Sequence, residues 1–466
     1  MTQSSPSLLD NATRDLAIFA SSLQYRQIPA SVIERIKTSV LDSIGCCLFG
    51  MTLPWTQKVQ AMVEEQGCLP VASLFGSERK TSVADAVLVN ATAGHAFELD
   101  YIHKESIVHP GSIALPVAIA LSEKTGKRRG RDLLTAIVAG YEIGTRVGNA
   151  ATMDLFFRGF HPQGTSGVFV ATTTAARMLE LDAHAMQHAL GIAGSQAGGL
   201  MAAQEGAMVK RFHSGRAAQS GVYAALLADT GFTGITDVLE APYGGYLSTY
   251  SGKPNAARLT DGLGSIWETE KIGYKPHASV TSIHAALDAL AQLMKEHHLQ
   301  PDDLVGVDIG ISHMTYVHCA WEYKAQGVTA AQMNLFYSLA VMAYDGMAFV
   351  EQYHQDRLND PRVLALIARM TARVDPKIDA MGPAFRHAAV VTVTSTSGSV
   401  FTKEILHRRG SPESPLSPAE IEYKFRHIVK PCLSADNADA VVALTRNLDQ
   451  LDDIQPLLDI LAMSRV

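Results

Sequence analysis

Apolar positions recur every four residues along much of the first part of the chain. Val32, Ile36, Val40 and Ile44 form one stripe, and similar stripes run from Leu133 to Val147 and from Val168 to Leu181. That period is the signature of a helix with one face in a core, so residues from about 8 to 265 are expected to be all helical. The texture changes after Trp267. Val305, Val307, Ile309 and Ile311 alternate with polar or small residues, and 389–395 and 400–406 form two β-rich runs around Ser397 and Gly398, a predicted hairpin. A helical stripe at Ile283, Leu287, Leu290 and Met294 lies between them. Helices then return: Ser417, Pro418 and Glu420 spell a capping box with proline at the first helical position, and Pro431 ends that helix. The pattern predicts a mainly α protein with a second α/β domain, divided as helical 1–269, α/β 270–408 and helical 409–466.

Composition narrows the function classes. With 466 residues, 47% hydrophobic and 18% charged, the chain can bury a large core. The 39 basic and 46 acidic side chains give a net charge of -7 without any lysine- or arginine-rich run, which argues against nucleic acid as a partner. The start, MTQSSPSLLDNATRDL, lacks the basic and apolar segments of a secretory leader, and IALPVAIALS at 113–122 is too short to cross a bilayer. A soluble, cytoplasmic protein with no membrane partner is expected. Cys46, Cys47, Cys68, Cys319 and Cys432 have no CxxC spacing, so reduced thiols are expected. The glycine-rich run at 191–199 matches neither phosphate-binding motif, and GTSG at 164–167 is not a nucleophile elbow; close helix packing explains them better.

Chemistry concentrates in a few places. Between Gly94 and Ser112, His95, Asp100, His103 and His109 alternate with Phe97, Leu99, Ile107 and Val108, a pattern of half-buried, paired polar groups. Asp100 and His109 are the kind of pair in which a carboxylate orients an imidazole for proton transfer. A metal site is the weaker reading, because the His103 to His109 spacing is no known ligand pattern and neither HExxH nor a cysteine cluster occurs. Three stretches, 155–179, 206–228 and 271–287, contain no Asp or Glu yet carry bases, among them His161, Lys210, Arg211, His213, Arg216, Lys275, His277 and His284. Buried cations without partners are costly, so an anionic ligand is the expected partner; salt bridges to distant acids are the alternative. Lys210 and His213 should share a helix face, with Arg216 continuing the line to grip a carboxylate. Lys275 precedes a proline and is expected on a strand or loop at the edge between the domains.

Long blocks lie in register with a known family. HAFELDYIHKESIVHP at 95–110, GFHPQGTSG at 159–167, VKRFHSGRAA at 209–218, ALGIAGSQAGGL from Ala189, the Lys275-Pro276 pair, His284 to Ala289 and the Gly-Ser-Pro before Ser417 resemble the MmgE/PrpD family. That family includes 2-methylcitrate dehydratase, cis-aconitate decarboxylase and iminodisuccinate epimerase. The resemblance implies a cofactor-free homodimer, with one large helical domain formed by both chain ends and an α/β lid at 270–408. It implies catalytic roles for Asp100, His109, His161, Lys210 and Lys275, no metal, and a small anionic carboxylate as substrate. His103, Lys104, His213, Arg216 and His277 are the expected substrate contacts. DYIHKE stands where the family commonly has DFDDT, so that His103 and Lys104 add positive charge and the substrate contacts are expected to differ. The residues fit a lyase moving a proton at a carbon next to a carboxylate: dehydration of the 2-methylcitrate type first, decarboxylation of the cis-aconitate type next. Epimerisation, a metal-dependent hydrolase and a non-catalytic carboxylate-binding homologue are the alternatives.

Overall fold

The computed structural model describes residues 11–464. Residues 1–10, which carry much of the leader reading and the start of the expected helical region, lie outside the described residues, as do 465–466.

The apolar stripes fold as helices Ala30–Gly50, Gly130–Phe157 and Gly167–Met178, which assemble with Val83–Gly94, Gly111–Thr125 and Val209–Asp229. Small residues set their spacing. A Cβ at Gly215 would collide with Thr92 Oγ1 and the Leu88 carbonyl, so the helix Val209–Asp229 lies directly on Val83–Gly94. The chain's end returns to its beginning: Pro418–Val429 and Ala435–Arg446 pack on Ala30–Gly50, where Lys424 pairs with the buried Asp42 at 2.7 Å. The capping box at Ser417 forms as its sequence requires. Among the described residues no single helix is long and apolar enough to cross a membrane.

The β-rich runs build one four-stranded sheet in the order Met370–Val374, Leu304–Ile311, Ala389–Ser395, Val400–Ile405, with the first pair parallel and the others antiparallel. Ala389–Ser395 alternates between buried and half-buried positions, and the helix His284–Glu296 packs on it and on Val400–Ile405. One expected position moves. The register shifts between Leu304 and Gly306, so Leu304 faces the core and Val305 is exposed.

A two-residue ladder decides the site. Ile102–His103 pairs antiparallel with Ile272–Gly273, which ties the histidine-rich segment to the chain that reaches Lys275 two residues later. Lys275 is in a loop, as the following proline requires.

Candidate active site

Four helix ends and this ladder converge on one narrow cleft, about 70 Å³, whose walls include Glu98, His109, His161, Lys210, Lys275, Arg386 and His387. His95 follows the helix Val83–Gly94 directly, and His109 precedes the helix Gly111–Thr125 by two residues. His161 caps the short helix Pro162–Thr165, while Lys210, Arg211 and His213 lie on the first turns of Val209–Asp229. Gln163 fastens two of these elements. Its side chain accepts from the His109 amide at 2.8 Å and donates to the His109 carbonyl, Ser112 and Ser214 at 3.0–3.1 Å.

At the centre is Glu98, which the sequence reading left without a role. Its Oε1 accepts from Lys210 and, at 2.6 Å, from Arg211; its Oε2 accepts from Lys275 at 2.9 Å. The expectation that Lys210 and Lys275 lack a partner within the chain is therefore corrected: a carboxylate distant in sequence pairs them. Burial pushes the Glu98 carboxyl up, but Lys210, Lys275 and Arg211 outweigh that and hold it well below the usual carboxylate range. Lys210 is pulled down to about 8 by burial, against the opposing pull of Glu98. Glu98 itself is left-handed at φ 54°, as is the β-branched Ile107 at φ 56°. Such conformations cost about 1–3 kcal/mol each and persist where surrounding bonds enforce them.

Asp100 accepts from two imidazoles. His95 Nδ1 lies 2.8 Å from its Oδ2, His109 Nδ1 lies 3.2 Å from both that oxygen and the Asp100 carbonyl, and the two rings meet edge to face. An ionised carboxylate only accepts, so both Nδ1 atoms carry the hydrogen. Burial pushes Asp100 up, but His109 and then His95 hold it well below its ordinary value. Burial drives His95 down to about 3 and, with Lys210, drives His161 well below its ordinary value and His213 to about 4. Those three rings are neutral near pH 7. The Nδ1 atoms of His161 and His213 lie 2.8 Å apart, so one donates and the other accepts.

His95, Asp100 and His109 also offer donor atoms within 4.8 Å of one another, the donor types a zinc-like ion accepts. Holding an ion through the Nδ1 atoms would require their hydrogens to leave. The present hydrogen bonds favour the carboxylate as an orienting group.

All five residues expected to be catalytic thus gather at the cleft, four in its wall and Asp100 behind His109. Of the five expected substrate contacts, His213 reaches the cleft through His161 and four do not border it. Arg216 is exposed on the outer face and donates to Gln219 at 2.6 Å; six helical steps turn it about 120° from Lys210. His103 points the other way, onto Glu268 and Ser106, each at 2.9 Å. Lys104 faces a neighbouring cavity. His277 is carried off by the bend at 276–279 and meets Asp288 at 3.3 Å. Besides Glu98, the sequence reading passed over Gln163, Arg386, His387 and Gln332. Gln332 accepts from Arg211 and donates to the carbonyls of Phe97 and Ala278, joining three segments. Only Glu98 and Gln163 carried a signal, as polar residues inside the long matching blocks.

Comparison with known proteins identifies the chain's family. The MmgE/PrpD N-terminal domain model matches residues 14–258, and the MmgE/PrpD C-terminal domain model matches 277–450. Cis-aconitate decarboxylase of Aspergillus terreus is 32% identical, the alignment covering 96% of this chain and 95% of that protein. Cis-aconitate decarboxylase of Homo sapiens is 27% identical over 97% and 95%, and the cis-aconitate decarboxylase-like protein oryM of Aspergillus oryzae 29% over 99% of each. With both parts matched and the relatedness running from end to end, the chain belongs to the MmgE/PrpD family.

Proposed function

We propose that the protein is a carboxy-lyase that removes carbon dioxide from a small tricarboxylate of the cis-aconitate type without a cofactor. One observation carries the reading: Lys210 and Lys275, 65 positions apart in the sequence, face the same cleft as His109 and His161. The residue types alone do not separate dehydration, decarboxylation and epimerisation, and dehydration is the first expectation from sequence. Full-length relatedness to cis-aconitate decarboxylases moves decarboxylation ahead of it.

The electron pair must be tracked. When the bond from the methylene carbon to its carboxylate breaks, that pair forms a new carbon–carbon double bond. The original double bond's pair moves to the carbon beside another carboxylate, whose oxygens gain negative charge. Lys210 and Lys275 supply positive charge there, an effect worth about 3–4 kcal/mol for one well-placed donor. A proton then goes to that carbon. His109 is the donor best placed, because the anionic Asp100 behind it compensates the charge of a protonated ring. His161, held neutral, serves as a hydrogen-bonding wall.

The test is incubation with cis-aconitate, and separately with 2-methylcitrate, in deuterium oxide, following released carbon dioxide and the product by NMR. The reading expects carbon dioxide from cis-aconitate and one deuterium per product molecule. Water loss from 2-methylcitrate without carbon dioxide from cis-aconitate would establish the dehydratase instead, and exchange with neither would point to an epimerase.

A further inference from the structure

Ion pairing sorts several bases, all buried but the half-buried Lys104, into two sets. Lys210, Arg211 and Lys275 share Glu98, and Lys424 has Asp42. Lys104, Arg386, Arg408 and His387 have no carboxylate within 4.0 Å among the described residues. Burying a guanidinium without a counter-ion is costly, so such a set calls for an anion from outside.

Two of the four stand in one wall. Lys104 donates to the Ala384 carbonyl, while Arg386 donates to the Lys104 carbonyl and, at 3.1 Å, to the Pro383 carbonyl; the Nε of Arg386 has no partner. Arg386 is only 6% exposed and is braced by Ser312 and Thr315, whose hydroxyls donate to its carbonyl at 2.6 and 2.8 Å. Both side chains border a cavity of about 540 Å³, within the range of roughly 300–1,000 Å³ usual for small-molecule sites. The acids of its lining have partners: Glu105 pairs with Arg258 of the same lining, Asp154 accepts from the Gly252 amide at 2.6 Å, and Glu413 lies 3.9 Å from His407. Lys253 adds positive charge along the same lining, while Arg258 and Lys271 are paired with Glu105 and Glu268. Burial, then Arg386, draws the Lys104 ammonium down to about 8, as expected of a cation lacking its counter-ion.

We propose that this cavity is a second binding site for a small polycarboxylate, anchored by Lys104 and Arg386 and separated from the catalytic cleft by the Arg386 wall they share. The planar guanidinium suits a carboxylate, and the spread of cations along the lining suits a ligand with more than one. The inference does not depend on which reaction the cleft performs.

Calorimetric titration of the full chain with tricarballylate, a saturated tricarboxylate with no double bond to react, tests it. Two molecules should bind. Lys104→Met, which keeps the length of the stem, should weaken one of them roughly ten- to a hundredfold, the worth of one charge-assisted hydrogen bond. Lys104→Arg should keep both, and Lys275→Met should weaken only the other. Tricarballylate should also shield Lys104 from acetylation by acetic anhydride, in the unmutated protein and in the Lys275→Met variant alike. A single bound molecule that ignores Lys104→Met, or an unshielded Lys104, would overturn the proposal; tighter binding of inorganic phosphate at the Lys104 site would overturn the ligand class.

Discussion

Replacing Glu98 by glutamine leaves the shape of the cleft and removes the charge that three cations share. Uncompensated buried charge is expensive, so Glu98→Gln should lower stability by about 3–5 kcal/mol, read by chemical denaturation. Lys210 gives a pH test. Its folded pKa of about 8 lies below the ordinary 10.5, so the charged form costs the native state stability below pH 8, and that cost is relieved as pH rises from 8 to 10.5. Activity should run the other way: kcat should fall above about pH 8 as the ammonium is lost, and Lys210→Arg should move that limb upward. Lys210 and Lys275 were legible because bases stand out in stretches without acids, and Asp100 and His109 because polar groups stand out among the apolar residues of 94–112. The sequence hid Glu98, since nothing local shows that a glutamate at 98 faces residues 210, 211 and 275.

Two elements hold these side chains in register. The helix Val209–Asp229 approaches Val83–Gly94 through Gly215, where any Cβ meets main chain. Gly215→Ala should force the helices apart, costing about 1–3 kcal/mol and drawing Lys210 away from Glu98, so that the melting temperature and kcat fall together. The ladder between Ile102–His103 and Ile272–Gly273 does the same for Lys275. Long helices and the hairpin were legible from periodicity, which depends only on which face is buried. Two-residue strands have no period to read, and Arg216 was misplaced because a three-residue spacing drifts round the helix instead of running straight along it.

At the scale of the molecule, the site exists because segments near residues 100, 161, 210 and 275 meet, and long-range pairing of this kind was visible only as blocks shared with a family. The orienting role given to Asp100 predicts that prolonged dialysis against a chelator leaves carbon dioxide release unchanged; loss on dialysis and recovery with zinc would assign His95, Asp100 and His109 to an ion instead. The central claim, that Lys275 and His109 act on one substrate in one cleft, is tested most directly by a double-mutant cycle on kcat/KM for carbon dioxide release from cis-aconitate. Lys275→Met and His109→Gln should each lower it at least about a hundredfold, and the double variant should fall little further than the worse single one, as groups acting as a unit do. Near-normal rates in either single variant, or losses that simply multiply, would contradict the account.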